Sequence, residues 1–387
     1  MVFWRIFNKS IVKITIHTCI ADIPAKDWNA LVQDNNPFLR HEFLLALEQH
    51  HCVGKAFGWL PRHVALYEAD ALVAAMPLYE KYNSYGEFVF DHAWAEAYQQ
   101  AGLAYFPKLI SSIPYTPASG QRLLIAAERF EQLAPILLKT ALEFAKQEKY
   151  SGLHFLFPLA EQQDWLQQQE QGFFARHDCQ FHWHNQNYQC FDDFLAKLTA
   201  KKRKNIRQER RRVEKSGVQL RVLDGLTATE TDWDHFAHFY LLTFEEKWGT
   251  PTLNAGFFKQ VAQALPKQVV LVLADYQGKC IAGSLMFCSD TTLYGRHWGC
   301  TEYIDKLHFE ACYYQGIEYC IQHEISLFEP GAQGEHKVAR GFVPTLTRSS
   351  HWLTANPFQQ AIERYVAHEQ EAIADYMQGC RQHLPYK

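Results

Sequence analysis

The chain has 387 residues, enough for two domains with separate cores, and its 48% apolar and 21% charged residues are those of a folded globular protein. A formal net charge of −4 excludes a general attraction to nucleic acid, so DNA is not an expected partner. Ten cysteines with no C-x-x-C pair exclude a paired zinc motif and read as reduced thiols of a cytoplasmic protein.

The chain opens on MVFWRIFNKSIVKITIHT, where Arg5, Lys9 and Lys13 interrupt the apolar residues, so neither a signal peptide nor an integral membrane segment is expected. ALYEADALVAAMPLY (65–79) reads as two strands about a turn at 68–70. A polar and aromatic stretch between proline turns follows. It carries Tyr105, Lys108, Tyr115 and Arg122, candidates for a substrate groove. Leu133, Ile136, Leu137, Ala141 and Phe144 have helical spacing, and LHFLF (153–157) reads as a buried strand. His182 and His184 share one strand face, but no third ligand stands out and no metal site is expected.

KKRKNIRQERRRVEKSG (201–217) holds nine Lys/Arg and two Glu, a local charge of +7 that leaves −11 on the rest (−4 − 7). Leu198, Ile206 and Val213 form a narrow apolar stripe, Gly217 caps the C-terminal end, and Lys204, Arg207, Arg211 and Lys215 line another face. Such a row suits phosphates, whether of RNA, a pyrophosphate-linked lipid or nucleotide, or coenzyme A. With Asn205 it forms a candidate donor-binding helix.

VLADYQGKCIAGSLMF (272–287) then repeats the earlier hairpin pattern, with Gln277-Gly278 as its turn. An offset of 209 relates Met76 to Leu285 and Tyr85-Gly86 to Tyr294-Gly295, which points to two copies of one fold. On a strand, Tyr294, Arg296 and Trp298 of YGRHWG share one face and suit a ligand groove, with His297 opposite. His308 and Glu310 open the next helix, expected over 309–323, and ISLF (325–328) is the strand after it. The loop that follows, GAQGEHKVARGF (331–342), packs glycines among ionisable residues. Gly331 and Gly334 allow backbone N–H groups to approach an anion. Glu335 and His336 are candidate bases, with Glu310 a third, while Gln333, Lys337 and Arg340 join the donor-binding set.

Residues 203–217, VQLRVLDG, WDHFAHFYLLTFEEKWG, AAMPLYEK, YFPKL, PYTPASGQRLL, YGRHWG and GAQGEHKVARGF together resemble the FemAB-like proteins of the GNAT N-acyltransferase superfamily. The resemblance spans nearly all of the chain after about Ile23 and is closest to bacterial members described as predicted N-acyltransferases or peptidoglycan biosynthesis/recognition proteins. It implies a mixed α/β fold with tandem duplicated GNAT-like domains. The expected division is 1–190 and 191–387, the second opening with a basic helix at 194–216. The resemblance also implies transfer of an acyl or aminoacyl group to an amine, a peptidoglycan precursor being one acceptor. Acyl-CoA or aminoacyl-tRNA would be a co-substrate, and no tightly bound cofactor is expected. The chain departs from the superfamily in lacking a clean Q/R-x-x-G-x-G/A pyrophosphate loop, and it lacks the long charged helical hairpin of some FemAB relatives. Both donors stay open, and so does a non-catalytic protein that binds a cell-wall precursor or RNA.

Overall fold

The computed structural model describes residues 2–7, 10–246, 249–332, 334–355 and 357–387. The chain forms two compact units, Met1–Asp178 with Leu346–Ala374 and Cys179–Thr345 with Asp375–Lys387. A single cut at 190/191 therefore does not follow the contacts. The segment 346–374 returns to the first unit after the second has been built.

In the first unit, five antiparallel strands run in the order Val2–Phe7, Ser10–His17, His63–Glu68, Ala71–Met76, Leu124–Ile125. The helix Phe130–Gln147 lays Leu133, Ile136, Leu137, Ala141 and Phe144 on their core. Further strands pair in the order 349–353, Gly152–Leu156, Lys108–Ser111, Tyr79–Lys81, Trp59–Pro61, with Lys108–Ser111 parallel to Gly152–Leu156.

The second unit has the order Gln219–Leu223, Val269–Tyr276, Lys279–Cys288, Thr292–Cys300, Leu327–Glu329, then the end of Phe174–His184. One face is covered by the helix Glu230–Glu246, whose Phe236 and Phe239 meet the strands at Gly283 and Gly299. A Cβ on Gly299 would lie 2.1 Å from the Phe239 carbonyl oxygen. We therefore expect Gly299→Ala to destabilise the unit by about 1–3 kcal/mol in a denaturant titration. The basic helix Ala200–Ser216 covers the opposite face, burying Ile206 and Val213.

The two expected hairpins form, and they match more closely than the sequence shows. Each turns through two residues with positive φ, Ala69-Asp70 and Gln277-Gly278, as tight twisted hairpins require. Each has a register shift at the same place, after Leu66 and after Ala274. The structural offset is 208 (277 − 69, 274 − 66), not 209. The Tyr-Gly echo is a coincidence of composition: Tyr85-Gly86 lie in an irregular segment, whereas Tyr294-Gly295 lie in a strand.

Candidate functional site

The strands Thr292–Cys300 and Leu327–Glu329 pair in parallel only as far as Tyr294 and Glu329. Beyond that point the first strand stays paired only with Lys279–Cys288, and the second turns into Pro330, which packs against Gly295. A bulge falls at the same place: Leu285 faces His297, but Met286 faces Gly295, so Arg296 is the extra residue. The bulge corrects the face assignment made from simple alternation. Tyr294 pairs with Phe287 and His297 with Leu285, so Tyr294 and His297 share one face and Trp298 lies on the other. His297 packs on Tyr240 and Phe258, Tyr294 is buried, and Trp298 meets the ring of His308.

Trp298 and His308 do come together. They line a small cleft of about 270 Å³ with Cys300, Tyr303 and Phe309. After His308 the helix widens into a π turn over Glu310–Tyr314, a local irregularity often found at functional sites. The glycine loop closes over this turn. The His336 ring sits 5.5 Å from that of Phe309 and 5.7 Å from that of Tyr313, and its Nε2 is 2.9 Å from the Tyr313 hydroxyl. Gly334, at φ 119°, lets the ring lie on its Cα: a Cβ there would be 2.4 Å from His336 Cε1. Burial, then the nearby Arg340 and Lys337, hold the His336 imidazole below its usual value, so it is neutral at neutral pH.

The other candidates fall into different roles. Glu335 is exposed and accepts a hydrogen bond from Tyr376 at 3.0 Å. Glu310 is buried and bound by Arg210 Nε and Nη2 at 2.9–3.2 Å and by Gln315 at 2.9 Å. That lock leaves it no room to act as a free base. Lys337 is buried and donates to the Gly331 carbonyl at 2.7 Å, with burial pushing its ammonium down to about 8. Arg340 is buried too, donating to the His336 carbonyl and to Glu209, each at 2.7 Å, while its guanidinium lies 3.4 Å from the Phe309 ring centre. Gly331, Lys337 and Arg340 thus shape the loop from within. Gln333 lies outside the described residues.

The basic region is two helices, Phe191–Lys197 and Ala200–Ser216, broken at Leu198-Thr199, where Thr199 N–H bonds to the Pro385 carbonyl. Gly217 ends the second at φ 84°. Arg207 and Arg211 line a cleft of about 500 Å³ with Phe191, Leu195 and Leu220, and Arg207 pairs with Asp192 at 2.8 Å. Lys204 and Asn205 are exposed and do not line it. Arg210, which sequence reasoning missed, anchors the helix to Glu310 and Glu318. Its neighbour Glu209 holds Arg340 and accepts a hydrogen bond from Tyr314. Both stand three and four residues after the buried Ile206, which was the signal that they face inward.

In the first unit, the four expected groove residues are internal. Arg122 is fully buried, donating to the carbonyls of Leu156, Gln121 and Ala118. Tyr115 donates to the Cys52 carbonyl. Lys108 and Tyr105 belong to a buried charge cluster with Glu87 and Asp91, although Tyr105 also borders a surface cleft. Among the described residues no helix is long and apolar enough to cross a membrane. His182 is buried and within 3.2 Å of Gln180 Oε1, with burial pushing its imidazole down to about 3.

A family model described as FemAB-like, peptidoglycan biosynthesis/recognition, matches residues 19–387. The chain belongs to the FemAB-like family. Comparison with curated proteins gives no match. Among solved structures, the chain is similar to FemX at 12% identity and a TM-score of 0.55, covering 88% of this chain and 98% of that one. It is also similar to the C-terminal domain of a putative lysylphosphatidylglycerol synthetase from Agrobacterium fabrum (9% identity, TM-score 0.53, 89% and 95% covered). A third likeness is to L-PGS from Bacillus licheniformis (12%, 0.50, 79% and 89%). At these identities the likeness is one of fold. This FemAB-like chain has a mixed α/β architecture with matching hairpins in its two units.

Proposed function

We propose that this FemAB-like protein transfers an acyl or aminoacyl group from an activated donor to an amine, with His336 as the general base. The observation that carries the reading is the His336 imidazole, held against Phe309 and Tyr313 with its Nε2 2.9 Å from the Tyr313 hydroxyl. In the tautomer whose Nε2–H donates to the Tyr313 oxygen, Nδ1 is the basic atom. The acceptor nitrogen attacks the donor carbonyl carbon and gives its proton to His336. A C–N bond forms, and the C–S bond of a thioester or the C–O bond of an aminoacyl ester breaks. The proton then passes to the leaving thiolate or alkoxide.

Acyl-CoA and aminoacyl-tRNA both remain donors in this reading. Arg207 and Arg211 line the larger cleft, which supports them as ligands for donor phosphates. The family description and the FemX-like fold support a peptidoglycan precursor as acceptor. Trp298 and His308 would border its amine.

The test incubates the purified protein with acetyl-CoA or bulk aminoacyl-tRNA and a muropeptide, and follows transfer by mass spectrometry. His336→Ala is expected to slow turnover about 100-fold with donor affinity unchanged. Because the base must be unprotonated, wild-type activity is expected to fall only as pH drops through a His336 pKa lying below 6.5, and to be flat above it. Transfer that survives His336→Ala removes that residue as base. No transfer from either donor returns the chain to a binding-only reading.

A further inference from the structure

The outward face of the basic helix adjoins the cleft of the proposed reaction and shares only Arg211 with it; its lysines do not line the cleft. Residues 201, 204, 208, 211 and 215 recur at spacings of 3, 4, 3 and 4, so Lys201, Lys204, Gln208, Arg211 and Lys215 form one straight row. All five are exposed. The row is about 21 Å long at 1.5 Å per residue. Among the described residues, no carboxylate pairs with any of its four cations, whereas Arg207, Arg210 and Arg212 are paired with Asp192, Glu310 and Glu318, and Asp305. The helix buries its apolar stripe in the protein, so the row is held rigidly outward.

We propose that this row docks the protein on an anionic lipid surface. The division of labour among the cations favours lipid over nucleic acid. Three of the helix's five arginines, whose planar forks suit individual phosphates, are paired with carboxylates of the protein, and three of the row's four cations are lysines. Lysine is a point charge suited to the diffuse potential of an anionic leaflet. The row also carries no aromatic side chain on which a base could stack. Exposed apolar groups lie on the segments joined to the helix by sequence or by ion pair. Tyr303, 85% exposed, stands two residues from Asp305, which Arg212 of the helix holds at 3.0 Å. Val222 and Leu226, also exposed, follow the helix after Gly217. Exposed tyrosine and aliphatic side chains on the same unit as a lysine row are what a headgroup region accepts. Glu214 on the helix, Asp192 and Asp305 paired to it, and Glu302 are exposed acids of this region. This inference does not depend on the transferase reading.

The experiment is sedimentation of the full chain with vesicles of equal parts phosphatidylcholine and phosphatidylglycerol, against phosphatidylcholine alone, at low and moderate salt. Binding is expected only to the anionic vesicles and is expected to weaken with salt. The combined variant Lys201→Gln, Lys204→Gln, Lys215→Gln should lower partitioning about 100-fold, roughly fivefold per charge removed. Its circular dichroism should be unchanged, since the three side chains are exposed. Failure of the wild type to bind the anionic vesicles overturns the proposal, and so does binding that survives the triple substitution. Binding of tRNA through the same lysines, with the vesicles ignored, overturns it in favour of a nucleic-acid contact.

Discussion

Replacing Lys108 by Met is expected to destabilise the protein by about 3–5 kcal/mol, because it strands two buried carboxylates. Lys108 is 1% exposed. Its ammonium lies 2.8 Å from Glu87 and also bonds to Asp91, which accepts further hydrogen bonds from Tyr105 and Ser84 at 2.5 Å each. Burial works against every charge in this cluster. Against that, Glu87 and Asp91 hold the Lys108 ammonium above its usual value, and Lys108, Ser84 and Tyr105 hold Asp91 well below the carboxylate range. Burial still pushes Glu87 up to about 7 despite Lys108. The pH dependence follows from these signs. Asp91, depressed in the fold, contributes stability above its unfolded pKa that is lost as pH falls through its folded value. Glu87, raised in the fold, contributes stability below its unfolded pKa that is lost as pH rises toward 7. Removing the ammonium raises both carboxyls, so the deficit of Lys108→Met relative to wild type should be largest near pH 8 and smaller near pH 5. Urea unfolding at the two pH values measures it. A deficit below about 1 kcal/mol, or one independent of pH, would mean that the cluster is hydrated and the ion pairs weak.

This cluster also shows where sequence reading stops. Lys108, Tyr105, Tyr115 and Arg122 stand among prolines, glycines and polar residues, a composition that reads as an exposed binding loop. Their partners, Glu87, Asp91, Cys52 and Leu156, are 14 to 63 residues away, and nothing local announces them. Patterns carried by a single element were legible. The hairpins, the helix Phe130–Gln147, the apolar stripe of the basic helix and its Gly217 cap all follow from periodicity and turn chemistry within a few residues. The bulge at Arg296 was not legible. One extra residue opposite Met286 swaps the face of everything after it, and alternation read from the strand alone assumes that no such residue exists. In the glycine loop, the sequence showed a cluster of ionisable residues but not which way each turns. Lys337 and Arg340 resembled ligands for an anion, yet both turn inward to backbone carbonyls, leaving His336 at the surface.

That arrangement makes Arg340→Met the second large expected effect, a loss of about 2–4 kcal/mol together with loosening of the loop. Arg340 joins three elements: its guanidinium pairs with Glu209 on the basic helix, donates to the His336 carbonyl, and covers the Phe309 ring at the start of the π turn. Lysine could keep one of these contacts but not the fork and the stacking, so Arg340→Lys should recover little. Two readouts separate a local from a general loss. Amides 335–340 should exchange faster while those of Gly152–Leu156 keep their protection, because that strand belongs to the other unit. The His336 imidazole should titrate closer to its usual value, since burial is its first depressing cause and Arg340 the second. A rise in that pKa measured by NMR, with the activity threshold moving to the same pH, would join the loop's internal cation to the base it positions. An unchanged His336 titration would mean that Arg340 serves the fold alone and that the base, if it is His336, is set by burial.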